Sequence, residues 1–311
     1  MDASKIYILG HKSPDLDSVA SAIALAELKN KSENNYKYSA RIAGEPNKET
    51  IFALDRFGFE KPELLENAQG QNLILVDHNE FEQAVDGTQE AKILEIIDHH
   101  KLNFKYSEPI YINCRPWGAT CSIIKSLFDT NNISISKELA GLMLSAILVD
   151  TVITKSPTVT DFDKTIIEDL ARISGVADWK EYGMELFKVR SNVKELADAE
   201  IIKSDFKDFD FKSGKFGIGQ VETVDLNEFA GREEGLLLEL KKLRENNNYH
   251  SVVLFITDIM KEGSLFLVSS SAMEEVEKTL GQKLEQGKVY IDGILSRKKQ
   301  VAPLFVKHFD K

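Results

Sequence analysis

The sequence predicts an α/β protein with a parallel sheet in its first part and a smaller α/β domain with a mixed sheet in its second. Three observations lead there. Short apolar runs alternate with stretches of helical period through the first 190 or so residues. Segments bearing acids and histidines directly follow three of those runs. Beyond Arg190 the texture changes, with strand-like runs set closer together.

In chain order, Lys5 to Leu9 reads as a strand, and Ser18 to Leu28 as a helix with Val19, Ala22, Ile23 and Ala26 on one side. Tyr38 to Ile42 reads as a second strand and Glu49 to Phe57 as a helix stopped by Gly58. Strands at 72–76 and 93–97 follow, with another near Pro109 to Ile112. Helical period then dominates: Cys121 to Phe128, Lys137 to Leu148, Asp161 to Ile173 and Trp179 to Phe187. Strands alternating with helices argue for a doubly wound parallel sheet. Arg190 to Lys194 is short, polar and charged, a candidate linker. Beyond it, strands are expected at about 215–222, 251–258, 264–269 and 287–291, with helices near 232–245 and 272–280. The expected organisation is a metal-binding domain over 1–189, a linker over 190–195 and a second domain over 196–311.

Fifty acidic residues against 39 basic ones give a formal charge of −11, which argues against general binding of nucleic-acid backbones. Cys114 and Cys121 have no CxxC partner, so neither a zinc knuckle nor a disulfide framework is indicated. No apolar run approaches the ~20 residues that span a bilayer, and the start of the chain reads as a strand, not a signal peptide. A cytoplasmic protein without membrane partners is the expectation.

The chemistry sits in four segments: Gly10 to Asp17, Val76 to Asn79, Asp98 to His100 and Val149 to Thr151. In an open α/β sheet, residues just past the carboxyl ends of strands converge on one crevice. Carboxylates and imidazoles gathered there suit divalent ions of the manganese type. His11, Asp15 and Asp17 share the first loop, which Pro14 keeps extended; Asp17 or Ser18 could equally cap the helix that follows. Asp77 ends the apolar run Leu73 to Val76, where burying a carboxylate is costly unless it meets a cation. Asp150 ends an apolar helical stretch, where its charge opposes the macrodipole, so a metal or a lysine such as Lys155 must stabilise it. Asp98 is expected to orient the neighbouring histidines by accepting a ring N–H. His78 fits either a backbone-satisfied strand end or a supporting role, and His250 and His308 read as incidental.

Taken together these segments resemble the DHH phosphoesterase superfamily, and within it the family II (manganese-dependent) inorganic pyrophosphatases. The resemblance rests on Gly-His-Lys-Ser-Pro-Asp-Leu-Asp-Ser at 10–18, Val-Asp-His-Asn-Glu at 76–80 and Ile-Asp-His-His-Lys at 97–101. Asp150-Thr151 with Lys155-Ser156-Pro157-Thr158, and the late Ser296-Arg297-Lys298-Lys299-Gln300, complete it. It implies one manganese ion on His11, Asp15 and Asp77 and a second on Asp17, Asp77, His99 and Asp150, with Asp77 shared. It further implies His100, Lys207, Arg297 and Lys298 on the substrate phosphates, in a cleft between the domains. The implied reaction is hydrolysis of pyrophosphate to two phosphates by a metal-bridged hydroxide, with Co2+ able to replace Mn2+ and Mg2+ arriving with the substrate. A homodimer is implied as well. Val149 departs from the polar residue associated with the family before Asp150. The rival readings are a DHH-type exopolyphosphatase and an oligonucleotide phosphodiesterase. The latter is disfavoured by the lack of a Gly-rich strand-gripping motif and of a basic-aromatic stripe.

Overall fold

A computed structural model describes residues 4–191 and 193–310; of these, the side chains of Ser4, Lys194, Lys298 and Lys299 lie outside the described residues. The chain divides into two compact units, Met1–Arg190 and Ser191–Lys311.

The first unit runs β1 (Ser4–Leu9), α1 (Leu16–Ser32), β2 (Tyr36–Ala40), α2 (Lys48–Phe57), β3 (Asn72–Val76), β4 (Lys92–Asp98) and β5 (Tyr111–Cys114). Four helices complete it: α3 (Thr120–Thr130), α4 (Lys137–Asp150), α5 (Asp161–Ser174) and α6 (Trp179–Ser191). The strands form one sheet in the order β2-β1-β3-β4-β5, and every pairing is parallel. This order reverses direction between β1 and β3, and such a switch point opens a crevice at the carboxyl ends of the two strands.

Side chains alternate along the strands, so each face of the sheet has its own core. Ile6, Ile8, Ile74, Val76 and Ile97 join the large cluster built with the helices. Leu73, Leu75, Ile93 and Ile96 face the other way, against Ala68, Phe81, Val85 and Phe104. The expected double winding is therefore corrected: helices cover one face and loop segments the other. The reason lies in the connections, since 77–91 folds as turns with one 3-10 turn (Thr88–Glu90) and 99–110 contains no helix. The middle of α4, from Leu139 to Val149, is buried all round, as an apolar helix with no polar face must be. Gly58 takes the left-handed conformation that stops α2 (φ 72°).

The second unit contains α7 (Asp198–Lys203), β6 (Phe206–Phe211), β7 (Gly214–Thr223), α8 (Glu233–Asn246), β8 (Ser251–Asp258) and β9 (Gly263–Ser270). It ends with α9 (Met273–Leu280), β10 (Lys288–Asp292) and α10 (Ala302–Phe309). The sheet order is β10-β9-β8-β7-β6, with β7 and β8 parallel and the other pairs antiparallel, a mixed sheet. All of β8 is buried. Val252, Leu254 and Ile256 point to the α7–α8 side, and Val253 and Phe255 to the α9–α10 side. Where a linker was expected, α6 runs on through Ser191 and a 3-10 turn covers Val193–Glu195; Asn192 lies outside the described residues.

Candidate metal centre

The donors gather at the switch point. His11 follows β1, Asp77 follows β3, His99 follows β4, and Asp150 is the last residue of α4. Each is brought there by a local device. Gly10 is needed because the end of β1 passes so close to α1 that a Cβ would lie 1.8 Å from Ser18 Oγ. Asp15, and neither Asp17 nor Ser18, caps α1 by accepting the Ser18 N–H at 3.0 Å. Asp77 adopts φ 61°, a left-handed turn that an aspartate tolerates better than most residues. This turns its carboxylate out of the strand direction.

Asp17, 1% exposed, is gripped by the start of α3: its two oxygens accept the amides of Thr120 (2.6 Å) and Cys121 (3.0 Å). That is an anion held at a helix N-terminus. Thr120 also donates its hydroxyl to Asp77 Oδ1 at 3.0 Å. None of these α3 contacts was foreseen from the sequence; the signal present was the small pair Gly118-Ala119 just before a helix.

Three overlapping groups of donors lie here; Asp77, His99 and His100 form one, but Asp98 holds His100 Nδ1, which leaves two donor sets, one of His11, Asp15 and Asp77, the other of Asp17, Asp77, His99 and Asp150. Asp77 belongs to both. Its Oδ2 lies 3.6 Å from His11 Nε2 and its Oδ1 3.4 Å from His99 Nε2. His11 Nε2 is 3.5 Å from Asp15, and His99 Nε2 is 3.4 Å from Asp150. Such spacings exceed a good hydrogen bond, yet suit two ligands sharing a metal ion ~2.0–2.2 Å from each. His99 Nε2 is moreover buried with no hydrogen-bond partner, and three carboxylates crowd one pocket. An orphaned imidazole nitrogen amid buried carboxylates is what a divalent cation relieves, so the residues fit the group.

The electrostatics say the same. Burial pushes Asp17 up, the Asp77 charge adds to it, and it reaches about 7. Asp150 rises well above the usual carboxylate range for the same two kinds of reason, burial and then neighbouring aspartates. Burial disfavours the charged rings of His11 and His99, but the carboxylates around them prevail and hold each at about 10. Asp77, although buried, is kept well below the carboxylate range by the two histidines.

Asp98 orients His100, not the ligand-set histidine. Its Oδ1 accepts His100 Nδ1–H at 2.9 Å and the His100 amide at 3.1 Å, while its Oδ2 accepts Asn79 Nδ2 at 2.6 Å. His99 donates Nδ1–H to the Trp117 carbonyl instead, at 3.0 Å. His78 donates to the Val76 carbonyl at 2.9 Å, and its Nε2 is buried without a partner. His250 stacks on Phe216 in the second unit.

In the second unit, Lys207 is exposed on β6. Arg297 opens a π-helical turn (Arg297–Val301) and is 8% exposed. It donates to Asp205 Oδ1 at 2.7 Å and to the Asp205 carbonyl at 2.5 Å. The side chain of Lys298 lies outside the described residues.

A parallel sheet with acids and histidines at its switch point, followed by a mixed-sheet unit, defines a two-part class. Two family models describe it: the DHH family N-terminal domain matches residues 5–147 and the DHHA2 domain residues 184–308. The manganese-dependent inorganic pyrophosphatase of Methanothrix thermoacetophila is 45% identical over 312 residues, covering 99% of this chain and all of the relative. That of Bacillus subtilis is 41% identical over 303 residues, 96% of this chain and 97% of the relative. The crystal structure of a putative family II inorganic pyrophosphatase from Methanococcus jannaschii is similar with a TM-score of 0.64 and 42% identity, over 98% of this chain and 100% of that one. The chain belongs to the family of manganese-dependent inorganic pyrophosphatases.

Proposed function

We propose that the protein hydrolyses inorganic pyrophosphate to two phosphates, using two manganese ions per chain. The observation that carries this is Asp77, whose two carboxylate oxygens face two histidines in two donor sets. Relatives named as manganese-dependent pyrophosphatases support both the metal and the substrate. His11, Asp15 and Asp77 would hold one ion, and Asp17, Asp77, His99 and Asp150 the other. Bound there, such a pair would lower the pKa of water enough to supply hydroxide for attack on phosphorus near neutral pH, and would offset phosphate charge.

The chain's own residues do the rest. The α3 amides and Thr120 fix Asp17 and Asp77 so that both face the donor sets. Asp98 accepts His100 Nδ1–H and raises the ring's affinity for a second proton, so that the half-exposed imidazolium can donate its Nε2–H to a phosphate oxygen. Lys207, Arg297 and Lys298 neutralise the transferred and leaving phosphates, Arg297 by exchanging Asp205 for phosphate oxygens that match its planar fork. The division of labour is a metal-holding domain over 1–189, a joining segment over 190–195 and a phosphate-binding domain over 196–311. Co2+ in place of Mn2+, Mg2+ arriving with the substrate, and a cytoplasmic homodimer belong to the same reading. No helix among the described residues is long and apolar enough to cross a membrane.

The test is phosphate release by metal-stripped protein with manganese, cobalt or magnesium restored singly, from pyrophosphate, tripolyphosphate and a dinucleotide. Release from pyrophosphate above the others, strongest with manganese or cobalt, is expected. Preference for tripolyphosphate would move the protein to exopolyphosphatases, and preference for the dinucleotide to phosphodiesterases.

A further inference from the structure

Asp163, the third residue of α5, is fully buried, and none of the chemistry above uses it. Its Oδ2 accepts the Gly118 amide at 2.9 Å. The same oxygen accepts the Thr160 amide and hydroxyl at 2.8 and 2.6 Å, closing a capping box at the start of α5. Its Oδ1 is buried with no hydrogen-bond partner.

What Gly118 does with its peptide group gives the contact its meaning. The N–H of Gly118 and the C=O of Trp117 are the two ends of one planar amide. That carbonyl accepts the Nδ1–H of His99. One unbroken chain therefore runs from the Asp163 carboxylate through a single peptide plane to the imidazole of the second donor set. The plane is clamped: a Cβ on Gly118 would meet Thr151 Cγ2 at 2.6 Å and Asp163 Cγ at 3.1 Å. Phe162, one residue before Asp163, stacks on the Trp117 ring with centroids 5.0 Å apart and planes 18° apart. The first turn of α5 thus grips both residues of that peptide.

A carboxylate on the N–H end of an amide polarises it, so that its carbonyl becomes a stronger acceptor. A ligand histidine whose other N–H meets a strong acceptor is locked in one tautomer and orientation and becomes a better donor. We propose that Asp163 is a positioning residue for His99, acting through the Trp117–Gly118 peptide to aim Nε2 at the metal and strengthen it as a ligand. The proposal rests on the assignment of His99 as a metal ligand and adds the device that holds it. Asp98, adjacent to His99 in sequence, is engaged with His100 and Asn79, so the carboxylate for His99 comes from 64 residues further along the chain.

The test is manganese binding by metal-stripped protein, followed by electron paramagnetic resonance of the free ion. His99→Ala and His11→Ala identify the two classes of site by removing one each. Asp163→Asn keeps the shape and removes the charge. It is expected to weaken the class that His99→Ala removes by about 10- to 100-fold, the range for losing a partner of a ligating histidine. The class that His11→Ala removes should stay within a few-fold of wild type. Thr160→Ala is the control for helix capping: it breaks the Thr160 hydroxyl bonds and leaves the Gly118 bond in place. It is expected to lower the thermal midpoint without changing the ratio of the two affinities. Equal weakening of both classes by Asp163→Asn, or no weakening, overturns the proposal. So does selective loss of the His99 class in Thr160→Ala, a result that stands even if Asp163→Asn does not fold. Wild-type protein that binds two ions but leaves pyrophosphate intact would defeat the proposed function and leave this inference standing.

Discussion

Loading the metal-free protein with manganese at pH 7 is expected to expel protons, and the site gives their number. Metal ligation requires neutral imidazoles and ionised carboxylates. With His11 and His99 each held at about 10, both rings carry their protons at pH 7. Asp17, at about 7, is half protonated, and Asp150 is pushed the same way, well above the carboxylate range, by burial and its acidic neighbours. Two ions should therefore displace about three protons per chain. Bringing each histidine from about 10 down to pH 7 costs about 4 kcal/mol. The affinity summed over both ions should accordingly climb about a thousandfold per pH unit near pH 7. Calorimetric titration of metal-stripped protein in two buffers of different protonation enthalpy counts the protons directly. Release of fewer than one proton would mean that the imidazoles are already neutral before the metal arrives, contrary to this expectation.

His11 and His99 are raised above their unfolded value of 6.5, so the stability they contribute is complete below pH 6.5 and is lost as pH rises toward 10. Asp17 and Asp150, also raised, likewise favour the fold only while protonated. The thermal midpoint of metal-free protein should thus fall between pH 6.5 and 9, while that of manganese-loaded protein stays level; scanning fluorimetry across that range checks it. His100→Asn should lower kcat by about 100-fold, within the usual range for a lost acid–base or charge-stabilising group, and leave two manganese ions bound by metal analysis. Lys125 is 3% exposed and pairs with Asp129 at 2.8 Å and Asp169 at 2.7 Å. Lys125→Met should change unfolding free energy by less than about 1 kcal/mol, whereas the Asp129→Ala/Asp169→Ala double variant, leaving a buried charge alone, should cost about 3 kcal/mol in urea titration.

Much of the fold was legible because strand-end position and side-chain type reinforce each other. An apolar run such as Leu73 to Val76 is typical of a strand buried on both faces, and an aspartate straight after it is costly to bury unless it meets a cation. The same logic carried α2 to its stop at Gly58. Other parts were hidden for physical reasons. β6 reads Phe-Lys-Asp-Phe-Asp-Phe, an edge strand whose charges break the apolar alternation. In α10, Ala302, Phe305 and Phe309 do repeat at helical spacing, but the Arg297-Lys298-Lys299 cluster just before it drew attention to charge. The second face of the parallel sheet carries loops because 77–91 has no run of helical period. At the site, the side chains with metal-binding chemistry were visible in sequence. The groups that aim them were not, because Cys121 and Trp117 act through a backbone amide and a carbonyl that any residue possesses, and Thr120 through its amide as well as its hydroxyl. Asp163 was hidden differently: at the third position of a helix it reads as an ordinary capping partner.

Two ions sharing Asp77 would act together on pyrophosphate, and one titration separates this from action by a single ion. Metal-stripped protein is given manganese in steps, and bound ions per chain are measured beside phosphate release from pyrophosphate. Activity is expected to lag the first ion and rise with the second, reaching its plateau at two per chain, and Asp77→Asn to abolish the rise. Full activity at one ion per chain, or two ions bound without phosphate release, would contradict it.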